Sequence, residues 1–159
     1  MEIRKASYQD IDKIHELLCY VLNLHHNIRK DLFKEGASKY SKDEIKAIID
    51  DDQYTIFVCL LDNEVVGYIF TFIKETKKDN IIKDHKSLYV DDLCVNPQFQ
   101  HMHIGSKLLK EAVKYAKENN CYNIALNVWE GNNYAKEFYE RQGFKPYKYC
   151  LEKTINEEE

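Results

Sequence analysis

Near the middle of the chain the hydrophobic pattern changes from strand-like runs to a helical repeat of about 3.6 residues, and this switch limits the fold more than any other feature. Residues 55–61, 65–73 and 87–95 are β-branched, apolar runs. Asp62-Asn63-Glu64 turns the first run into the second as a hairpin, and the polar loop Lys77-Lys78-Asp79-Asn80 leads towards the third. Asn96-Pro97 stops the third run, because proline has no amide to give to a ladder. Directly afterwards Ile104, Leu108, Leu109, Ala112, Val113 and Ala116 fall on one face of a helix. Adjacent strands that pass through a turn into an amphipathic helix predict an α/β chain, with helices covering a sheet.

The flanking segments extend that scheme. Ile3 and Arg4 open a short strand. Ser7-Tyr8-Gln9-Asp10 reads as a capping box, followed by Ile11, Ile14, Leu17, Leu18, Val21 and Leu22 at helical spacing. Ser41-Lys42-Asp43-Glu44 starts a second helix carrying Ile45, Ile48 and Ile49, and the segment 25–40 between the two is expected to be helical in part. Residues 123–128 predict a strand. Asn132 opens a helix with Ala135, Phe138 and Tyr139, Gly143 terminates it, and a last strand is expected over 146–154. The order is β, α, α, β, β, β, α, β, α, β, with no internal repeat, low-complexity stretch or linker. One domain over 1–159 is expected.

Charge and cysteines narrow the functional classes. A net charge of −4 argues against a nucleic-acid backbone as main partner, because such proteins carry a basic stripe. An acidic balance suits a cationic substrate. The acidic end Glu157-Glu158-Glu159 is expected to be a solvated terminus. Cys19, Cys59, Cys94, Cys121 and Cys150 are odd in number and contain no C-x-x-C pair, which fits reduced thiols and neither disulfides nor a zinc site. The start Met1-Glu2-Ile3-Arg4-Lys5-Ala6 has no apolar signal region and no run approaches ~18 apolar residues, so a cytoplasmic protein without a membrane partner is expected.

The chemistry concentrates in Gln100-His101-Met102-His103-Ile104-Gly105-Ser106, between the third long strand and the helix. A turn entering a helix exposes unpaired amides where the helix dipole is positive, which suits a phosphate or pyrophosphate. Glycine lets the backbone come close to such a ligand. The stretch is neither a Walker loop nor a dinucleotide fingerprint, because G-x-x-x-x-G-K-[ST] and G-x-G-x-x-G are both absent.

Further on stand Asn132, Ala135, Tyr139, Gly143 and Phe144. Together with Val95-Asn96-Pro97 and Gln100 to Ser106, this constellation resembles the GNAT superfamily of N-acetyltransferases. There a strand ending V-x-P leads into [QR]-x-x-G-x-[GA] and a helix, followed by N-x-x-A-x-x-x-Y-x-x-x-G-F. The opening Ile3-Arg4-Lys5-Ala6 is similar to the family's start, and the resemblance in element order spans roughly residues 3–154. It departs from the pattern at two positions: His103 stands at the usual first loop glycine, and Met102 where a basic residue is common. Either the loop keeps φ below zero at His103, or acyl-CoA binds less tightly there unless the protonated imidazole donates to a phosphate. A metal site at His101 and His103 is not expected, since no further ligand is placed beside them.

The resemblance implies a mixed, twisted sheet splayed between its fourth and fifth strands, acetyl-CoA as co-substrate, and a cofactor-binding core over about 87–144. It places the backbone of Leu93, Cys94 and Val95 on the acetyl carbonyl and pantetheine, and the turn from Gln100 through His101, Met102, His103, Ile104 and Gly105 to Ser106 on the pyrophosphate. Asn132 and Ala135 border the pantetheine arm. Tyr139 matches the family's tyrosine near the thioester sulfur and is expected to be the general acid. Asp91 lies two positions before Leu93, where an acidic residue is often found, and is expected to be the base, acting through water. Asp92, adjacent in the strand, is expected on the opposite face. His25, His26, Asp31, Phe33, Trp129 and Glu130 are candidates for shaping the acceptor site. The acceptor is expected to be a primary amine, of polyamine-like or amino-acid-like kind from the acidic balance. The alternatives are a protein N-terminus or lysine, or a non-catalytic acyl-CoA-binding module, and a homodimer is left open.

Overall fold

The computed structural model describes residues 1–155. The acidic end Glu157-Glu158-Glu159 lies outside the described residues. Five strands form one sheet in the order β1 to β5: β1 (Glu2–Lys5), β2 (Tyr54–Leu61), β3 (Glu64–Thr76), β4 (His85–Val95) and β5 (Asn123–Ala125). The first four pair antiparallel, and β5 runs parallel to β4. The parallel step needs a crossover, which is the helix α3 (Ile104–Glu118).

The helices begin where local chemistry caps them. The carboxylate of Asp10 accepts from the Ser7 amide at 2.8 Å, and the short 3-10 turn Tyr8–Asp10 runs into α1 (Ile11–Ile28). Before α2 (Lys42–Asp50), the Ser41 hydroxyl accepts from the Glu44 amide at 3.2 Å, and Glu44 accepts from the Ser41 amide at 2.7 Å. Asn132 caps α4 (Asn133–Arg141) by accepting from the Ala135 amide at 3.2 Å. Gly143, at φ +87°, takes the left-handed conformation that ends this helix.

The sheet is covered on both faces. On one, α1 and α2 bury Ile14, Leu17, Leu18 and Ile45 against Val58, Tyr68 and Phe70. On the other, α3 buries Ile104, Leu108 and Ala112 against Phe57, Ile69, Leu88 and Val90. Apolar side chains fully withdrawn from water on two faces explain why β2 and β3 read as continuous apolar runs.

Two expectations are corrected. The strand over 123–128 is ordered in the ladder only as far as Ala125. The last strand expected over 146–154 is not formed: this segment is exposed, has no regular secondary structure and joins no ladder among the described residues. Its β propensity is real, but a strand exists only where a neighbouring edge accepts its hydrogen bonds.

Candidate active site

The β4–β5 ladder consists of Ser87–Asn123, Leu88–Ile124 and Tyr89–Ala125, and stops there. From Val90 to Val95, β4 is paired to β3 on one side only. This is the expected splay. It leaves the far edge of Leu93, Cys94 and Val95 without a β5 partner.

A bulge then sets the direction of the acidic side chains. Leu88 and Val90 lie in the α3-side core, whereas Cys94 lies in the core under α1. The even-numbered residues therefore change face within β4. The ladder to β3 shows where: Phe70 pairs with Asp92 and Thr71 with Val90, leaving Asp91 as an extra residue. The expectation that Asp91 and Asp92 face opposite sides is therefore corrected. The Tyr40 hydroxyl donates to Asp91 at 2.6 Å, and the Tyr40 ring stacks on Phe70 at 5.7 Å. The hydroxyl of Tyr68, in the same core, donates to Asp92 at 2.8 Å. Both carboxylates lie on the α1/α2 side, beside the unpaired stretch of β4.

Their surroundings differ. Asp91 meets the Lys39 ammonium at 2.9 Å, and Lys39 also donates to the Asp91 carbonyl at 3.0 Å. Asp92 keeps part of its residue surface open, but its carboxyl is closely surrounded by protein. Burial pushes that carboxyl up to about 6, against the Tyr68 hydrogen bond and the Lys39 charge, which favour ionisation. Burial, and then the charge of Asp92, raise the buried Cys94 thiol well above its ordinary value.

Across the split stands Tyr139, on α4. Its ring packs edge-on against Phe138 at 5.1 Å and Phe144 at 5.5 Å. Phe138 and Tyr139 both lie against the α3-side core, because α4 rests on its rim with neither residue fully enclosed. Burial, and then the Asp92 charge, push the Tyr139 phenol up, so it holds its proton at neutral pH. Its hydroxyl makes no hydrogen bond among the described residues and is not sealed from solvent.

The turn before α3 is built on two left-handed histidines, His101 at φ +66° and His103 at φ +60°. The expected alternative of a negative φ at His103 is overturned: the loop keeps the backbone shape that a glycine would favour and carries a Cβ in it. Histidine is among the non-glycine residues that enter this region most readily. No side chain caps α3, and Gln100, His101, Met102 and His103 lie partly or fully open ahead of it. Gly105 has a packing reason of its own, because a Cβ there would meet the Phe138 ring at 3.3 Å. Ser106 accepts from the Gln142 side chain at 3.1 Å, a second tie between α3 and α4. No group of three or more ligating residues that could hold a metal occurs among the described residues.

The end of α1 meets the segment after β5. His25, Phe33 and Trp129 form an aromatic row, with ring centroids 5.3 and 5.2 Å apart, and the Arg29 guanidinium lies 5.9 Å from the Trp129 ring. Burial, and then Lys39, lower the pKa of His25. His26 turns to the Phe33 carbonyl at 2.8 Å, and Asp31 pairs with Arg29 at 2.7 Å, so these two serve local structure. Glu130 is exposed. The sequence reading missed Lys39, Tyr40 and Tyr68. They lie 52, 51 and 24 positions from their aspartate partners, and no local pattern marks such pairs.

A sheet opened beside a bulged fourth strand, with an uncapped helix start at the same end, defines the class of acyl-CoA-dependent N-acyltransferases. Residues 22–144 match the family model of the Acetyltransferase (GNAT) family, and the chain belongs to that family. An uncharacterised N-acetyltransferase of Methanocaldococcus jannaschii is 27% identical over 146 residues, which cover 90% of this chain and 60% of that protein. A protein named spermidine N(1)-acetyltransferase, from Thermoplasma acidophilum, is 26% identical over 152 residues, covering 91% of this chain and 88% of it. The crystal structure of a variant Bacillus halodurans protein superposes with a TM-score of 0.94 at 24% identity, covering 98% of this chain and 99% of that one. No helix among the described residues is long and apolar enough to cross a membrane.

Proposed function

We propose that the chain is one catalytic domain that acetylates the primary amine of a small cationic acceptor of polyamine-like or amino-acid-like kind. The observation that carries this reading is the pair Asp91 and Asp92, brought by one bulge onto the same side of the sheet beside the split. The relative named for spermidine supports a cationic acceptor.

The residues present fit acetyl-CoA. The uncapped start of α3, from His101 through Ser106 with Gln100 ahead of it, suits a diphosphate. The edge of Leu93, Cys94 and Val95 suits an extended amide-bearing arm, which it takes as it would an added strand. Asn132 and Ala135, at the start of α4, would border the same arm. Bound there, acetyl-CoA supplies an activated acyl carbon on a thiol leaving group.

The chain's residues then manage two protons. An alkyl ammonium must lose one before it attacks, which costs about 4–5 kcal/mol at neutral pH. The accepting role expected of Asp91 passes in this proposal to Asp92. Its carboxyl, raised to about 6, is ionised at neutral pH and still basic enough to take a proton, through water. Asp91, held by Lys39 and Tyr40, attracts and orients the ammonium. Tyr139, which keeps its proton, gives it to the departing thiolate.

Thiol release from acetyl-CoA, measured against a panel of diamines, amino acids and peptides, tests the reading. Amine-dependent release is expected, with kcat/KM rising as pH passes about 6 and Asp92 ionises. Tyr139→Phe is expected to lower kcat by roughly 10²-fold with little change in KM for acetyl-CoA. Tight acetyl-CoA binding with no amine-dependent release would instead make the chain a binding module.

A further inference from the structure

The chain sets a cation of its own on the acidic pair. Lys39, on the segment between α1 and α2, brings its ammonium 2.9 Å from one carboxylate oxygen of Asp91 and donates to the Asp91 carbonyl at 3.0 Å. Tyr40 takes the other carboxylate oxygen at 2.6 Å. The Lys39 side chain keeps 41% of its surface in water, against 16% for Asp91, so the ammonium stands on the solvent side of the pair. Its charge also acts on Asp92 and Tyr89 of β4 and on His25 at the end of α1. One ammonium therefore reaches both carboxylates and the aromatic row beside them.

Charge and hydrogen bonding then limit what can enter. With both aspartates ionised the pair offers two negative charges, and Lys39 offsets one, which leaves one for an incoming cation. An ammonium has three N–H donors. Asp91 takes two of those of Lys39, and the third is left for an acceptor group that brings a lone pair. A carboxylate beside a partly free ammonium fits an amine and a carboxylate on one small molecule better than it fits two ammoniums.

Given the amine acetylation proposed above, on which this rests, we infer that Lys39 is the specificity-determining residue of the acceptor site: it selects an amino-acid-like amine, whose carboxylate it receives, over a diamine of the same length. The Asp92 carboxyl is faced by Tyr68 of β3, by Asp91 and Cys94 of β4, by Tyr139 of α4, and by Lys39 and Tyr40 of the segment before α2. Lys39 is the one cation in this set. Replacing it therefore changes both the charge that the acceptor meets and the pH at which Asp92 ionises.

Free L-lysine and 1,5-diaminopentane differ only by a carboxylate, and thiol release from acetyl-CoA compares them. The wild type is expected to show the higher kcat/KM with L-lysine. In Lys39→Gln the ratio of the two is expected to shift by about tenfold or more towards the diamine, through KM for the acceptor, with KM for acetyl-CoA unchanged. Lys39→Arg keeps the charge and is expected to keep the wild-type preference. The pH profile adds a measurement that a purely structural role does not move. Without the Lys39 charge Asp92 ionises at higher pH, so the acidic limb of kcat/KM moves up in Lys39→Gln and returns in Lys39→Arg. A wild type that prefers the diamine, an unchanged ratio in Lys39→Gln, or the same shift in Lys39→Arg overturns the inference. No release with any amine in the wild type overturns instead the acetylation reading, and binding then decides the part of Lys39. The carboxyl resonances of Asp91 and Asp92 are followed by NMR as each of the two amines is added. Tighter binding of L-lysine by the wild type and of the diamine by Lys39→Gln supports the assignment, and equal responses in the two proteins overturn it.

Discussion

The chain before and after Ala116 is built to two different densities. Every buried hydrophobic residue described lies between Ile14 and Ala116, and none lies in β5, α4 or the segment that follows. Yet Tyr139 stands in the sparse region, within reach of the charge of Asp92 in the dense one. One part is a scaffold with packed faces on either side of β2, β3 and β4. The other is a layer resting on its rim, through Leu126, Phe138, Tyr139 and Phe144. A site divided between them has one densely packed wall and one sparsely packed wall. Ligand-binding elements belong at this low-stability end, because a wall that never opened would admit no ligand.

The largest effect separates the two densities directly. Leu108 is fully buried in the α3-side core, and Leu108→Ala is expected to cost about 3–4 kcal/mol of stability, by lost transfer energy and a residual cavity. Leu126→Ala, on the rim, is expected to cost about 1 kcal/mol. Urea unfolding checks both, and equal losses would break the distinction.

A smaller effect tests the acidic pair inside the dense region. The folded-state pKa of Asp92, about 6, lies above that of an ordinary carboxylate. Folding therefore takes up a proton between about pH 4 and 6, and stability falls as pH rises through that window. Asp92→Asn removes the buried charge and can still accept from Tyr68. It is expected to stabilise the protein by up to about 2 kcal/mol at pH 8 and by nothing at pH 4, while lowering kcat/KM. Thermal melts at the two pH values check it. A variant destabilised at pH 8 would mean that the carboxylate is held for structure.

The smallest effect lies at the turn into α3, on the edge of the split. A non-glycine residue in the left-handed region costs roughly 1 kcal/mol, and glycine's greater freedom in the unfolded chain takes back about half. His103→Gly is therefore expected to raise stability by about 0.5 kcal/mol, seen as a small increase in Tm. Calorimetry on the same variant shows whether the imidazole serves cofactor binding: affinity that falls assigns it that part, and unchanged affinity makes it a tolerated side chain.

Much of this molecule follows from short-range chemistry. Ser7 with Asp10 and Ser41 with Glu44 mark helix starts because cap and amide are three residues apart. Pro97 and Gly143 stop elements through their own backbones. The turn before α3 and the Asn132–Tyr139 helix were legible for the same reason, and so was the split, once those motifs were matched to a family. The sequence by itself therefore determined which segments are helices and strands, apart from the last, and where the turn before α3 falls. Only the tertiary structure decided which way the acidic pair points. The bulge at Asp91 arises from how Phe70 and Thr71 meet Asp92 and Val90 across the ladder, and one extra residue reverses the alternation that a strand otherwise guarantees. Only the tertiary structure brought Lys39 and Tyr40 onto Asp91 from a segment with no periodicity, and left residues 146–154 unpaired. Capping and periodicity act within a few residues of one another, whereas register, burial and edge pairing depend on partners distant in the chain.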